Sequence, residues 1–231
     1  MDALALDHVA LWVAAEDRAP LADFLCDHAG MHVVDRTDAF TLVGADARRG
    51  KLTLFDAEGP RAPGPLERVV LRVSDVAQAL DALPAGLDVE RGPGGVAQFG
   101  GPAGLGLGLV ERPGTEVDYD IDHVVLQVPD PARAAEALAG LGAAPADDGR
   151  LVVGDKHMRL VPGTDRGTER PLLNHIALLV ESGQEQLEEA RARGIEIAEV
   201  RDAANTFAFF VWGPDGIQLE YVEHKPEFSL T

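Results

Sequence analysis

The sequence predicts an α+β fold built from four repeated βαβββ-type units. Three observations support this prediction. Four short segments resemble one another, each is followed by a stretch rich in Ala, Leu and charged residues, and each unit closes with short apolar runs. The four segments are LDHVALWV from Leu6, LERVVLRV from Leu66, IDHVVLQV from Ile121 and LNHIALLV from Leu173. Similarity that recurs along a chain indicates duplicated supersecondary units.

The first half of each unit predicts a strand followed by a helix. Each repeated segment starts with a polar pair and continues with five or six mostly β-prone residues, which is typical of a strand. The stretches that follow have helical composition, and three of them end at a glycine, as helix C-caps commonly do. These predicted helices are AEDRAPLADFLCDHAG, SDVAQALDALPAG, PDPARAAEALAGLG and ESGQEQLEEARARG.

Short apolar runs predict the final strand of each unit: KLTLFDA from Lys51, GLGLGLVE from Gly104, KHMRLVPG from Lys156 and GIQLEYVE from Gly216. The turn GPDG before the last run predicts a hairpin with TFAFFVW, since Pro and Gly suit a tight reversal. The segment ERPGTEVDYD lies near the middle of the chain and is rich in turn-forming residues. We therefore expect two domains of two consecutive units each, residues 1–113 and 114–231.

Composition excludes several classes of function. The 231 residues include 20 Lys and Arg against 39 Asp and Glu, a net charge of −19 that disfavours nucleic-acid partners. No apolar run approaches the ~18–20 residues of a membrane span, and the N-terminal residues do not resemble a signal peptide, so we expect a cytoplasmic protein. Cys26 is the single cysteine, so a bound metal would need histidines and carboxylates. Exposed edge strands favour a homo-oligomer.

Strand alternation predicts which histidines face a site. In LNHIALLV, His175 and Ala177 share one face, and the large aliphatic residues on the other face suit a helix. In GIQLEYVE the same rule places Glu220 on the face opposite Leu219 and Tyr221. We therefore expect His175 and Glu220 to face the same concave surface.

His123 occupies the same repeat position as His175. If neighbouring units close one sheet, His123, His175 and Glu220 form a set of two imidazoles and one carboxylate. Non-haem Fe(II) oxygenases use this ligand set with open positions for dioxygen and substrate, and Mn(II) also suits it. The sequence therefore predicts a metal site at these three residues, with Fe(II) or alternatively Mn(II).

The pattern of four such units, with a first-strand histidine and a last-strand glutamate, resembles the vicinal oxygen chelate superfamily of glyoxalases, bleomycin-resistance proteins and extradiol dioxygenases. The resemblance covers nearly the whole chain and is greatest for type I extradiol ring-cleavage dioxygenases. It implies two open-barrel domains, of which the N-terminal one is vestigial and the C-terminal one holds the metal. The positions that match the family's metal ligands are His8, Arg68, Thr53 and Gly108 in the first half, and His123, His175, Arg159 and Glu220 in the second.

The resemblance also implies roles for residues around the metal. His157 matches a family histidine that acts as an acid and base toward substrate and oxygen. Arg159 replaces a fourth glyoxalase ligand, and a guanidinium cannot coordinate a cation. Phe210 stands where the family usually has a tyrosine, and Arg201 where it has a second histidine. With Asn205, the residues Arg159, Arg201 and Phe210 make up the predicted substrate-binding group.

The resemblance implies an Fe(II)-dependent extradiol-type dioxygenase of aromatic catabolism, with a small catechol-like aromatic diol and dioxygen as partners. Two alternatives stay open within the same superfamily. One is a glyoxalase-like lyase or isomerase that uses the same metal site. The other is a metal-free protein that binds a small molecule, as bleomycin-resistance proteins do.

Overall fold

A computed structural model describes residues 1–163 and 170–226, and these residues form four βαβββ units, as predicted. The first unit contains β1 (Ala5–Ala14), α1 (Ala15–His28), β2 (His32–Arg36), β3 (Phe40–Gly44) and β4 (Lys51–Ala57). The second contains β5 (Leu66–Val73), α2 (Val76–Asp81), β6 (Glu90–Arg91), β7 (Ala97–Gly100) and β8 (Gly106–Glu111). The third contains β9 (Asp120–Val128), α3 (Pro131–Gly140), β10 (Ala144–Pro145), β11 (Arg150–Val153) and β12 (Lys156–Pro162). The fourth contains β13 (Leu173–Leu179), α4 (Gly183–Ala192), β14 (Ile197–Asp202), β15 (Thr206–Trp212) and β16 (Gln218–His224).

Local sequence accounts for where three of the helices begin. The side chains of Asp75, Asp130 and Ser182 accept hydrogen bonds from backbone N–H groups of the first turns of α2, α3 and α4. Such caps satisfy donors that have no partner inside the helix. Gly194 follows α4 with a φ of 71°, a backbone conformation that glycine adopts without strain. The predicted helices and their glycine ends are therefore confirmed.

The predicted hairpin of the fourth unit is also present. β15 and β16 pair in an antiparallel manner, with Trp212 opposite Gln218 next to the turn. Pro214–Gly216 forms a 3₁₀ turn in which Asp215 has a φ of 55° and Gly216 a φ of 76°. The turn chemistry of GPDG thus brings β16, which carries Glu220, back along the sheet.

The strands of the described residues form two eight-stranded sheets, but consecutive units do not pair in the way we expected. One sheet has the order β14-β15-β16-β13-β1-β4-β3-β2 and joins the first unit to the fourth. The other has the order β10-β11-β12-β9-β5-β8-β7-β6 and joins the second unit to the third. The predicted division into residues 1–113 and 114–231 is therefore wrong as a description of the sheets. We call the first sheet with its helices the 1/4 module, and the second the 2/3 module.

Hydrophobic burial follows the predicted strand alternation. One large buried cluster contains residues of all four units, among them Leu11, Leu71, Leu126 and Leu178. Two small clusters lie apart from it, on the concave faces of the sheets. They are Ala177, Ala208, Phe210 and Val222 in the 1/4 module, and Val70, Val96, Val110 and Val125 in the 2/3 module. Each sheet therefore presents one face to a common core. Its other, concave face carries the small cluster, and we call this concave surface the cup of the module.

No helix in the described ranges is long and apolar enough to cross a membrane.

Candidate metal centre

Three side chains converge in the cup of the 1/4 module: His8 from β1, His175 from β13 and Glu220 from β16. His8 Nε2 lies 3.2 Å from His175 Nε2 and 3.3 Å from Glu220 Oε2, and His175 Nε2 lies 2.9 Å from the same oxygen. Three ligands at ~2.1 Å from one ion and at right angles to each other would lie ~3.0 Å apart. The observed separations fit a single metal ion.

Sheet pairing brings these residues together. β1 and β13 are antiparallel neighbours, with Ala10 opposite His175 and His8 opposite Ala177. β16 lies on the far side of β13, with Glu220 beside Ala177. The two histidines are thus related by the approximate symmetry of the paired strands, and the carboxylate comes from the adjacent strand.

The neighbours of the two histidines orient their rings. His8 Nδ1 lies 2.8 Å from the Asp7 carboxylate, and His175 Nδ1 lies 3.0 Å from Asn174 Oδ1. Both partners are acceptors, so each Nδ1 carries the proton and donates it. In the form that binds a metal, with Nε2 unprotonated, each imidazole points an Nε2 lone pair at the other and at Glu220. A cation is the natural occupant of a space on which three lone-pair donors converge.

Glu220 gives an independent sign of such a site. Its Oε2 is buried, and within the described residues no hydrogen bond of good geometry satisfies it, although both Nε2 atoms are close. A buried carboxylate oxygen without a directed donor is costly unless a charge compensates it. Burial would raise the pKa of Glu220, but His175 and His8 outweigh it and hold the pKa below its usual range. The carboxylate is therefore ionised at neutral pH.

In the metal-free protein, a proton on His8 supplies the compensating charge. Burial alone would lower the pKa of His8, but contacts with Asp7 and Glu220 outweigh burial and raise it to about 9. Burial lowers the pKa of His175. One positive charge thus belongs in this cluster at neutral pH, and a metal ion would take the place of the His8 proton.

Asp7 holds His8 in place through the ring nitrogen that faces away from His175 and Glu220. Its carboxylate is buried and also contacts Lys51 Nζ at 2.7 Å and His224 Nε2 at 3.3 Å. Burial raises the pKa of Asp7, but Lys51 and the two histidines more than offset this effect and lower the pKa well below its usual range. Asp7 therefore stays anionic and can fix the ring of His8.

Thr53 occupies the position on β4 that Glu220 occupies on β16. It lies beside Ala10 in the parallel β1–β4 pair, as Glu220 lies beside Ala177 in the β13–β16 pair. A threonine hydroxyl is a poor replacement for a carboxylate ligand, so this set has three strong ligands.

Aromatic rings flank the three ligands. The Phe210 ring meets His175 edge-on at 5.2 Å, and the Phe55 ring lies 6.4 Å from His175. Trp12 and Phe40 each lie 5.7 Å from Phe55. The centre thus has half-buried aromatic side chains on the first-unit side and a buried one on the fourth-unit side.

One residue of the predicted ligand set, His123, does not lie with the other two. His175 and Glu220 come together as predicted, but His123 lies in the 2/3 module, where its strand pairs with β5 and β12. His8, which the resemblance placed in a vestigial half, takes its place. The reason is that β13 pairs with β1, so the units that share a cup are the first and the fourth.

His157 is also placed away from the proposed metal. It lies beside His123 in the parallel β9–β12 pair, with the two rings stacked at 4.5 Å. The predicted role of His157 as an acid and base at the metal is therefore wrong. Burial lowers the pKa of His157 to about 4, so the ring is neutral at pH 7.

Asp122, His123 and His157 form a second cluster of potential ligands, but it is poorly suited to a metal. Both Asp122 oxygens are bound by Arg112, at 2.7 and 3.1 Å, and one also accepts from His123 Nδ1 at 2.6 Å. Stacked imidazoles, inclined by only 16°, do not aim their nitrogens at one point. Because the Asp122 carboxylate is already paired with Arg112, the cluster is best described as a hydrogen-bonded network.

The predicted substrate-binding residues are divided between the two modules. Phe210 lines the metal cup, and Arg201 lies over the Phe210 ring at 4.9 Å, while Glu199 binds Arg201 through two contacts of 2.6 and 3.0 Å. Asn205 lies in the turn between β14 and β15. Arg159 belongs to the 2/3 module and lies away from the candidate metal centre, so its predicted contact with a substrate there is wrong.

Sequence reasoning did not include His8 among the candidate ligands, and it missed Asp7 and Asn174 as orienting residues. A signal for all three is present in the repeats, where LDH, IDH and LNH each place a hydrogen-bond acceptor directly before the histidine. In an otherwise apolar strand, such a pair is an indication of an oriented imidazole.

Several solved protein structures resemble this fold over nearly the whole chain. A candidate dioxygenase from Bacillus subtilis superposes with a TM-score of 0.80 at 18% identity, over 97% of this chain and 86% of that one. Glyoxalase I from Zea mays superposes with a TM-score of 0.68 at 18% identity, over 95% of this chain and 92% of that one. The cppA protein from Streptococcus pneumoniae superposes with a TM-score of 0.63 at 13% identity, over 96% of this chain and 100% of that one. No protein-family model and no curated protein matches the sequence. The likeness in structure shows that this chain has the vicinal oxygen chelate fold.

Proposed function

We propose that this protein is a metal-dependent enzyme, namely a non-haem Fe(II) dioxygenase of the extradiol type that cleaves a catechol-like aromatic diol. The observation that carries the proposal is the convergence of two oriented imidazoles and one ionised carboxylate in the 1/4 cup, with Thr53 in the fourth position. This is the ligand set of Fe(II) oxygenases, and Mn(II) is the alternative ion.

In this proposal the residues of the cup have separate tasks. His8, His175 and Glu220 hold the ion, while Asp7 and Asn174 keep the two imidazoles in the tautomer that binds a metal. A bound Fe(II) supplies a Lewis acid and open positions for the vicinal oxygens of a diol and for dioxygen.

The surrounding side chains suit an aromatic substrate. The rings of Phe55 and Trp12 on one side and of Phe210 on the other can contact a substrate ring by offset or edge-on packing. Thr53 shares a strand face with Phe55, so its hydroxyl can donate and accept hydrogen bonds beside the diol. We assign Phe210 and Thr53 to substrate binding.

One observation favours a second candidate function, a glyoxalase-like isomerase or lyase at the same metal. The expected acid and base, His157, lies in the other module, and Arg201 is held by Glu199. Among the described residues, His157 was the group expected to move protons during ring cleavage, and its place in the other module favours metal chemistry that does not involve dioxygen. Consumption of dioxygen with a catechol distinguishes the two functions, because the isomerase or lyase consumes none.

The decisive experiment is the metal content of protein reconstituted with Fe(II) without oxygen. We expect about one iron per chain in the wild type, with loss in His8→Ala, His175→Ala and Glu220→Ala. His123→Ala is the matched control, because His123 is a buried first-strand histidine of the other module. Iron that survives in all three ligand variants would contradict the site, and a metal-free wild type would favour the small-molecule-binding alternative. Ring-cleavage products from a catechol panel then test the dioxygenase activity.

A further inference from the structure

The 2/3 module contains a cavity of about 680 Å³ that belongs to neither the metal centre nor its aromatic wall. Cavities of this size accommodate small organic ligands. The charged and imidazole side chains of its lining are Arg112, His123, Asp148, Arg150, His157 and Arg159. Three arginines around one cavity are notable in a chain whose net charge is −19.

Two of the three arginines already have carboxylate partners. Arg112 binds Asp122 through two contacts, and Arg150 Nε lies 2.6 Å from Asp148. Within residues 1–163 and 170–226, Arg159 has no carboxylate partner. The register of β11 and β12 places Arg159 directly opposite Arg150, and like charges in that relation repel each other. The polar lining is therefore short of one negative charge.

The histidines of the cavity offer a neutral acceptor. His123 and His157 are buried, with 5% and 8% exposure. His123 Nδ1 donates to Asp122, so in the neutral ring it is Nε2 that has the lone pair. That nitrogen can accept a hydrogen bond from a hydroxyl group, and an anion would not be attracted to it.

The rest of the lining is apolar. Val96 lies on one side, and Pro131, Ala132 and Ala135 come from the first turns of α3, with Leu160 from β12. A cavity with one unpaired cation, one hydroxyl acceptor and an apolar wall is selective for an organic anion. An inorganic oxyanion would leave the apolar wall without a partner.

We propose that this cavity binds a small organic monocarboxylate that also carries a hydroxyl group. Arg159 pairs with the carboxylate, His123 accepts from the hydroxyl, and the apolar wall contacts the carbon skeleton. The guanidinium of Arg159 suits the carboxylate because it can donate two parallel hydrogen bonds. One carboxylate would also relieve the repulsion between Arg159 and Arg150.

The test is calorimetric titration of the full-length, metal-free protein with 3- and 4-hydroxybenzoate, benzoate and inorganic phosphate. We expect a hydroxybenzoate to bind more tightly than benzoate, and phosphate to bind least. Arg159→Gln should weaken hydroxybenzoate binding at least ~10-fold, and Arg159→Lys should weaken it less. Arg133→Gln is the matched control, because Arg133 is exposed and pairs with Asp215 outside the cavity lining.

A second variant separates the two polar contacts. His123→Ala should weaken hydroxybenzoate binding while leaving benzoate binding within about twofold. Unchanged affinity in Arg159→Gln, or phosphate that binds as tightly as the organic acids, would overturn the proposal. Thermal melting of each variant reports whether the fold is retained. Because no metal is present, failure of the proposed Fe(II) site would leave this result intact.

Discussion

His8 Nε2 and His175 Nε2 lie 3.2 Å apart, although 167 residues separate them along the chain. Their proximity depends on one strand pair, β1 with β13, which joins the first unit to the last. The candidate metal centre is therefore shared between the two ends of the described chain, and neither half contains a complete ligand set.

A split of the chain tests this arrangement. We expect a fragment of residues 114–231 to bind no Fe(II), because β13 loses β1 as its neighbour and the cup loses His8. Co-expression with residues 1–113 should restore metal binding, because the fragments together supply both strands. The measurement is iron content after anaerobic reconstitution. Stoichiometric iron in the 114–231 fragment alone would show that the C-terminal half holds its own site.

Asp7→Asn should weaken metal binding about 10- to 100-fold while the three ligands remain in place. The cause is the loss of the anion that holds His8 Nδ1–H and keeps Nε2 directed at the ion. Asp122→Asn is the control, because it changes the equivalent Asp–His pair of the 2/3 module. Competition titration with a metal chelator gives the affinities, and thermal melting shows whether loss of the Lys51 contact has unfolded the protein. Equal effects of the two substitutions on affinity would contradict an orienting role specific to Asp7.

Lys156→Met should destabilise the protein by about 1.5–3 kcal/mol, because it removes one of the two cations that pair with the buried Asp120 carboxylate. Lys156 Nζ lies 2.8 Å from Asp120 Oδ1 and also donates to the Leu6 carbonyl of β1, so the pair connects the two modules. Urea unfolding followed by circular dichroism gives the difference. Arg150→Met, which removes an exposed pair with Asp148, should cost less than about 1 kcal/mol.

The same ion pair predicts that the folded protein becomes less stable at acidic pH. Burial raises the pKa of Asp120, but Lys156 and Arg72 outweigh burial and lower it. A lowered folded-state pKa stabilises the protein above the unfolded value of about 4, and this stabilisation is lost as the pH falls through the folded-state pKa. Melting temperatures between pH 6 and 3 should therefore fall, and the fall should be smaller in Lys156→Met, because the folded-state pKa of Asp120 then lies closer to its unfolded value. Coincident pH profiles for the two proteins would contradict this role of Lys156.

Tyr221→Phe should cost about 1–2 kcal/mol and leave metal content unchanged. The buried Tyr221 hydroxyl donates to the Leu141 carbonyl at 2.5 Å, and its loss leaves that carbonyl without this donor. The ring stacks on Phe209 on the core side of β16, opposite Glu220, so the substitution should not disturb the cup. Denaturant unfolding and iron analysis of the same preparation measure the two effects. Iron loss in this variant would mean that the core face of β16 positions the ligand.

The local features of this fold were predictable because they depend on short stretches of sequence. Alternation along LNHIALLV and GIQLEYVE correctly placed His175 and Glu220 on a concave face, and the cluster of Ala177, Phe210 and Val222 on that face confirms the rule. Turn chemistry at GPDG and the helix-ending glycines were likewise local signals. Side-chain periodicity thus determined the four units and the face on which each candidate ligand lies.

Only the tertiary structure decided which units share a cup. The first strands of the units carry nearly the same pattern of polar and apolar residues, so any two of them could pair without changing which face is buried. The choice of β1 for β13 depends on long-range packing in a core common to all four units. That choice brought His8 to the candidate metal centre, and it placed His123, His157 and Arg159 at a separate cavity.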